Sequence, residues 1–167
     1  MSPDAPVASN EPTTFNLLFV CTGNTCRSPL AEIVAAHAIA SREWKHVRVA
    51  SAGISAAPAA AASEGAIEVA HEHGLDLTGH SASQLAPEHL EWADLVLAMS
   101  PSHIVAIAEA GATGRVALLS DFADGEGRGR AIEDPFGGDT DTYRRAFEQI
   151  REGVEGLLAR LEPILSP

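Results

Sequence analysis

Four short runs of consecutive apolar residues punctuate the chain: "FNLLFV" at 15–20, "VRVASAG" from 47, "DLVLAM" at 94–99 and "RVALL" from 115. Runs of this length between turn residues fit strands buried on both faces. Each is followed by helix-compatible sequence. From Pro29 to about Arg42, Leu30, Ile33, Val34 and His37 fall on one helical face, with Ser28 as the expected N-cap and Pro29 at the first helical position. A second helix is predicted from about Ser63 to His73, closed by Gly74, and a third from the Ser100-Pro101 step to near Gly111. The last helix is the clearest. Tyr143, Phe147, Ile150, Val154, Leu157, Leu158 and Leu161 recur at spacings of three and four, and Pro163 is expected to stop the pattern.

Buried strands alternating with helices predict an α/β fold, a single-domain three-layer unit whose central four-stranded parallel sheet carries helices on both faces. Function then belongs at the carboxyl ends of the strands. The domain is expected over 15–162, between a disordered N-terminal tail at 1–14 and a C-terminal tail at 163–167. There are no internal repeats. "SAAPAAAAS" at 55–63 reads as a loop entering a helix, and "ADGEGRGR" at 123–130 as a mobile loop.

Composition narrows the class. The chain has 167 residues, 46 % of them hydrophobic and 20 % charged, which suits one domain with a core large enough to need no staples. Eleven basic against 23 acidic side chains give a formal charge of −12, which disfavours nucleic acid and anionic membrane as partners. No apolar run approaches the roughly 18 residues that span a bilayer. The opening stretch lacks the basic start and apolar centre of a signal peptide, Arg27 being the first Lys or Arg. Two cysteines are too few for a secreted disulfide scaffold of this size. A soluble, cytoplasmic protein with reduced thiols is the expectation.

The chemistry concentrates in "VCTGNTCRSP" at 20–29, where the first strand turns into the first helix. Such a turn points backbone N–H groups inward and aims the positive end of a helix dipole at one spot. Gly23 lets the backbone curl closely, Asn24 tolerates left-handed conformation, and Arg27 offers a planar fork for two phosphate oxygens. Cys21 lies at the floor of this anion cradle, where helix terminus, N–H donors and guanidinium all favour the nucleophilic thiolate. The cradle comprises Thr22, Gly23, Asn24, Thr25, Cys26, Arg27 and Ser28.

Half a zinc site is a poor alternative, since no second Cys pair exists, and a nucleotide loop would end in Gly-Lys-Ser/Thr, which "GNTCRSP" lacks. His71 and His73 point to different sides of a helix and make no metal site, while Glu64, Glu68 and Glu72 form a solvated face.

"CTGNTCRS" resembles the C-x5-R-S signature of cysteine-dependent phosphatases, and the longer "VCTGNTCRSPLAE" resembles the low-molecular-weight protein tyrosine phosphatase family. "SAG" at 51–53, "GHSASQL" at 79–85, "DLVLAM" and "DPFGG" at 134–138 follow in that family's order, so the resemblance covers residues 15 to about 162. It implies two in-line steps without metal or cofactor. Cys21 takes the phosphoryl group, Arg27 binds it and its transition state, and an acid protonates the leaving atom. A carboxylic acid opposite the nucleophile is a chemical need of the mechanism. Asp134 of "EDPFGG" is the candidate, as the family's Asp-Pro pair implies; a mere turn role for Asp134-Pro135 is the alternative, and Asp121, Asp124 and Asp139 are rivals outside the Pro-aromatic context. Ser28 is expected to donate to the Cys21 sulfur. The resemblance further suggests His80 and Ser51 as supports of Asn24, against His80 as a simple loop histidine. Cys26 reads equally as a small buried residue or as a redox partner that captures an oxidised Cys21.

Thr25 and Phe136 bear on substrate choice. Tyrosine-specific members usually carry a bulky aliphatic residue at the place of Thr25 and further aromatics beyond the Asp-Pro, whereas Thr25 and "DPFGG" resemble the protein arginine phosphatase branch. A phosphoguanidine is planar and polar and benefits from a hydroxyl on its flank, while a phenyl ring benefits from apolar walls. The implied substrate is phosphoarginine in proteins or peptides, with phosphotyrosine as the alternative; phosphate, vanadate and similar oxyanions should bind, and the protein is expected as a monomer. Arsenate reduction would need further relay cysteines, and a non-catalytic phosphate-binding module would lack the nucleophile or acid. Ser100 departs from the Asp that often follows "DLVLAM" in the family.

Overall fold

The computed structural model describes residues 14–112 and 115–165, so the expected N-terminal tail lies outside the described residues except for Thr14. Its elements run β1 (Phe15–Cys21), α1 (Arg27–Ser41), β2 (Val47–Gly53), α2 (Glu64–Glu72), α3 (Pro87–Trp92), β3 (Leu95–Ala98), α4 (Pro101–Glu109), β4 (Arg115–Leu118), a 3₁₀ turn (Leu119–Phe122) and α5 (Thr140–Leu165). The sheet order is β2-β1-β3-β4, every pair parallel, with Leu17 of β1 opposite Val49 on one side and Leu95 on the other. The chain moves outward from β1 to β2, then crosses back over β1 to reach β3. That reversal opens a crevice at the carboxyl end of β1, the usual ligand position in open α/β sheets.

Alternation along β1 assigns its two faces. Leu17, Phe19 and Cys21 join the core with α1, α2 and α5, whereas Leu18 and Val20 join a smaller core with Ile104 and Ile107 of α4 and Leu90 and Trp92 of α3. Burying each such Leu or Phe stabilises the fold by about 1.5–3 kcal/mol, so the strand ending in Cys21 is anchored on both faces. All seven positions of the apolar stripe on α5 are buried.

Four features differ from the sequence expectation. α1 starts at Arg27 with Cys26 as N-cap, two residues early, because the Ser28 hydroxyl is engaged at the cradle instead of capping. Pro29 then sits within the first turn, where its missing N–H has no helical partner to lose. His37 is exposed, and Ala31, Ala35 and Ile39 complete the buried face instead. α5 runs through Pro163 to Leu165, so the C-terminal tail does not begin at Pro163. There a His46 ring N–H donates to the Leu165 carbonyl at 3.0 Å and the Leu165 side chain packs on the core, which offsets the one helical bond a proline removes. Finally, the short helix α3 lies where the apolar spacing predicts none; "ADGEGRGR" is a loop, as expected, in which Gly129 N–H donates to the Ser120 carbonyl and the Ser120 hydroxyl to the Arg130 carbonyl.

Candidate active site

The loop from Thr22 to Cys26 curls back under the start of α1. Among the described residues, no protein acceptor takes the backbone N–H groups of Thr22 to Arg27, so the loop presents a ring of donors at a helix N-terminus. Asn24 makes the curl with φ of 55°, in the left-handed region, and is fully buried. Its side chain is the brace. Nδ2 donates to Ser28 Oγ at 2.8 Å and to Ser51 Oγ at 2.9 Å, and Oδ1 accepts Ser83 N–H at 2.9 Å. His80 Nε2 donates to the Asn24 carbonyl at 2.7 Å, while Ser51 passes its own proton toward Glu32 Oε1 at 2.5 Å.

This direction of donation matters at Cys21. With Asn24 occupying Ser28 as an acceptor, the Ser28 proton is free to point at Cys21 Sγ, 2.9 Å away. A hydroxyl donating there eases the departure of sulfur from phosphorus.

Arg27 is buried, with one guanidinium nitrogen donating to the Ile132 carbonyl at 3.1 Å and another 3.5 Å from Asp134 Oδ2. Ile132 is tied in turn to Met99 by its N–H, and Glu133 to Gln149 and Arg145 of α5. Asp134 therefore stands on an anchored loop with its carboxylate half exposed above the cradle. Its Oδ1 also accepts Phe136 N–H at 3.1 Å, so the turn role and the position facing Arg27 coexist in one side chain. Cys21, Thr22, Gly23, Thr25, Cys26, Arg27, Asp134 and Phe136 line one cavity of about 190 Å³. A larger hollow of about 290 Å³, between Ser120, Arg130 and Glu152, is lined by neither cysteine.

The rival acids lie elsewhere. Asp139 accepts from Thr142 N–H and Oγ1 at the start of α5, and those bonds hold its carboxyl below the usual range; Asp121 and Asp124 are exposed outside the cavity. Cys26 is a free thiol, buried in the main core with Ser63 Oγ at 3.2 Å and Tyr143 Oη at 3.6 Å. Burial pushes the Tyr143 hydroxyl up from its ordinary value, so a neutral phenol faces Cys26. No group of three or more His, Cys, Asp or Glu among the described residues could hold a metal ion, and no described helix is long and apolar enough to cross a membrane.

Three participants escaped the sequence reading. Glu32 ends the Ser51 branch, four residues after Ser28 on the same helical face, a spacing that could have revealed it. His103 reaches Thr22 from α4. Gly53 ends β2 beneath the cradle, and a Cβ on it would come within 2.6 Å of the Thr22 carbonyl oxygen and 2.9 Å of Asn24 N. Gly53→Ala is therefore expected to lower kcat by about tenfold or more, because sub-ångström shifts at a reacting group are costly. Steady-state kinetics with p-nitrophenyl phosphate checks this; parent-like kcat would mean that the loop yields freely.

The family model described as low molecular weight phosphotyrosine protein phosphatase matches residues 16–164. A protein-arginine-phosphatase of Bacillus subtilis is 39 % identical over 149 residues, covering 88 % of this chain and 97 % of its own. The low molecular weight protein-tyrosine-phosphatase PtpB of Staphylococcus haemolyticus is 38 % identical over 135 residues, covering 80 % of this chain and 91 % of its own. Among solved structures, a YwlE arginine phosphatase variant with a phosphorylated serine replacing the active-site cysteine superposes with a TM-score of 0.79 at 38 % identity, over 89 % of this chain and 96 % of that one.

Proposed function

This chain belongs to the low molecular weight phosphotyrosine protein phosphatase family, and from that premise we propose that it hydrolyses phosphoarginine in proteins through a phosphocysteine on Cys21. It is a cysteine-dependent phosphatase. The observation that carries the arginine assignment is the lining of the cavity above Cys21, to which Thr25, Asp134 and the exposed Phe136 all contribute. A planar, partly cationic guanidine is served by all three: a hydroxyl partner, a carboxylate partner and an aromatic face.

In the first step the Cys21 thiolate attacks phosphorus in line, the P–N bond breaks, and Asp134 transfers its proton to the departing nitrogen. The N–H ring and Arg27 hold the phosphoryl oxygens as charge spreads over them. In the second, Asp134 takes a proton from water, whose oxygen attacks phosphorus; the P–S bond breaks and phosphate leaves, with Ser28 donating to the sulfur. Asn24, supported by His80 and Ser51, keeps Ser28 aligned throughout. Substrates on this reading are phosphorylated proteins or peptides met in the cytoplasm by a monomer, with phosphate and vanadate as competing oxyanions. The net charge of −12 and the two free thiols are consistent with that setting.

Parallel assays with phosphoarginine and phosphotyrosine peptides test the assignment. A clear preference for phosphotyrosine would overturn it and leave the phosphatase intact. Thr25→Ile is expected to move the ratio of kcat/KM values toward phosphotyrosine by about tenfold, the effect of gaining apolar contact and losing one hydroxyl in a pocket wall. Unchanged selectivity would show that Thr25 is not the selector.

A further inference from the structure

Thr22, the residue after the nucleophile, is gripped from two sides. Its carbonyl accepts Ser55 N–H at 2.9 Å from the loop after β2, and its hydroxyl lies 2.9 Å from His103 Nε2 in α4. The other ring nitrogen, Nδ1, is 3.0 Å from Ser100 Oγ, which is itself 2.9 Å from Ser102 Oγ. The imidazole is buried, and both its nitrogens face hydroxyls. Because a hydroxyl donates or accepts as required, a neutral ring satisfies both contacts in either tautomer, whereas a doubly protonated ring would bring a second cation beside Arg27. Burial first, and then Arg27 of α1, push this histidine down to about 4, against the opposing pull of Asp134 on the acid loop. Those two residues are the charged groups acting on it.

We propose that His103 is a positioning residue for phosphoryl transfer: an uncharged clamp that fixes the Thr22 hydroxyl, and with it the peptide next to Cys21, without competing with Arg27 for Asp134. The clamp rests on the phosphatase reading of the site. Its function is geometric, since the Cys21–Thr22 peptide carries both the attacking sulfur and the first N–H of the donor ring. Ser100 completes it. As N-cap of α4 it makes no side-chain bond to the helix backbone, its hydroxyl being engaged with Ser102 and His103.

The test measures kcat and KM of the full chain with p-nitrophenyl phosphate. His103→Ala is expected to lower kcat by about tenfold to a hundredfold while KM changes by less than about threefold. Thr22→Val should reproduce that loss, and the double variant should be no worse than the poorer single one, because both remove the same contact. Ser100→Asp supplies a readout that a purely structural role would not move. Aspartate is a good N-cap, so α4 is kept, but its carboxylate against Nδ1 favours the charged ring and should introduce an ionisation into the kcat profile near about pH 6 to 7. The parent and Ser100→Asn should lack it. Parent-like kcat in His103→Ala, additive losses with Thr22→Val, or a Ser100→Asp profile identical to the parent would each overturn the clamp. If His103→Ala fails to fold, Thr22→Val and Ser100→Asp decide the matter. A parent inactive toward both p-nitrophenyl phosphate and phosphoarginine peptide would instead overturn the phosphatase reading, and the clamp with it.

Discussion

Cys21→Ser is expected to lower kcat by about 10⁴-fold or more with every phosphorylated substrate, while the protein keeps its fold and still binds inorganic phosphate. The size of the loss follows from the nucleophile. Sulfur is intrinsically nucleophilic toward phosphorus, whereas an alcohol in the same place is far less acidic and needs a base to activate it. Among the described residues, the one hydrogen-bond partner of Cys21 Sγ is Ser28 Oγ at 2.9 Å, a hydroxyl already accepting from Asn24 and unable to act as a strong base. Retained phosphate binding follows from the cradle, whose N–H donors and Arg27 are untouched by the change. The substitution removes little volume from a buried site, so thermal unfolding should move by only a few degrees. Steady-state kinetics and calorimetric phosphate titration measure the two halves. A serine variant that turns over as fast as the parent would end the cysteine mechanism altogether.

How much of this could be read in advance depends on the range of the interaction. The cradle is local: a strand end, a glycine, a left-handed Asn24 and a helix start lie within eight residues, and their geometry follows from backbone rules that act over that distance. The stripe on α5 was legible for the same reason, since its spacing is set by one helix against one core. Contacts between distant segments were not. Thr22 and His103 are 81 residues apart, and Ser51 and Glu32 meet only because β2 and α1 flank β1. The start of α1 was misplaced by the same logic: Ser28 has the chemistry of an N-cap, but tertiary partners at Cys21 and Asn24 compete for its hydroxyl and win. Six-residue α3 has too few turns to show a period. Pro163 stands in α5 because a bond from His46 and the packing of Leu165 outweigh a local stop signal.

Asp134→Asn is expected to lower kcat/KM, which reports phosphocysteine formation, by about 10²- to 10³-fold with phosphoarginine peptide or phenyl phosphate, and by less than about tenfold with an activated ester such as 2,4-dinitrophenyl phosphate. The difference identifies a general acid. A leaving group that departs readily as an anion needs no proton, so losing the donor costs little; one that departs poorly depends on it. Asn keeps the size and the capacity to accept Phe136 N–H, the bond that shapes the turn, so the acid loop retains its course. It also ends the 3.5 Å ion pair with Arg27, but that pair, with one partner more than half exposed, contributes little to stability. Arg27 stays anchored through Ile132, so phosphate affinity should not fall. Neutralising a carboxylate beside an anion site removes repulsion, and the KM of the variant is expected to hold or drop. Equal losses with all leaving groups would instead assign Asp134 to loop shape alone. The second step separates the roles further. Without a base to take the proton from water, phosphocysteine breakdown slows as well, so a rapid-quench experiment with the activated ester should show a burst of dinitrophenol followed by slow turnover.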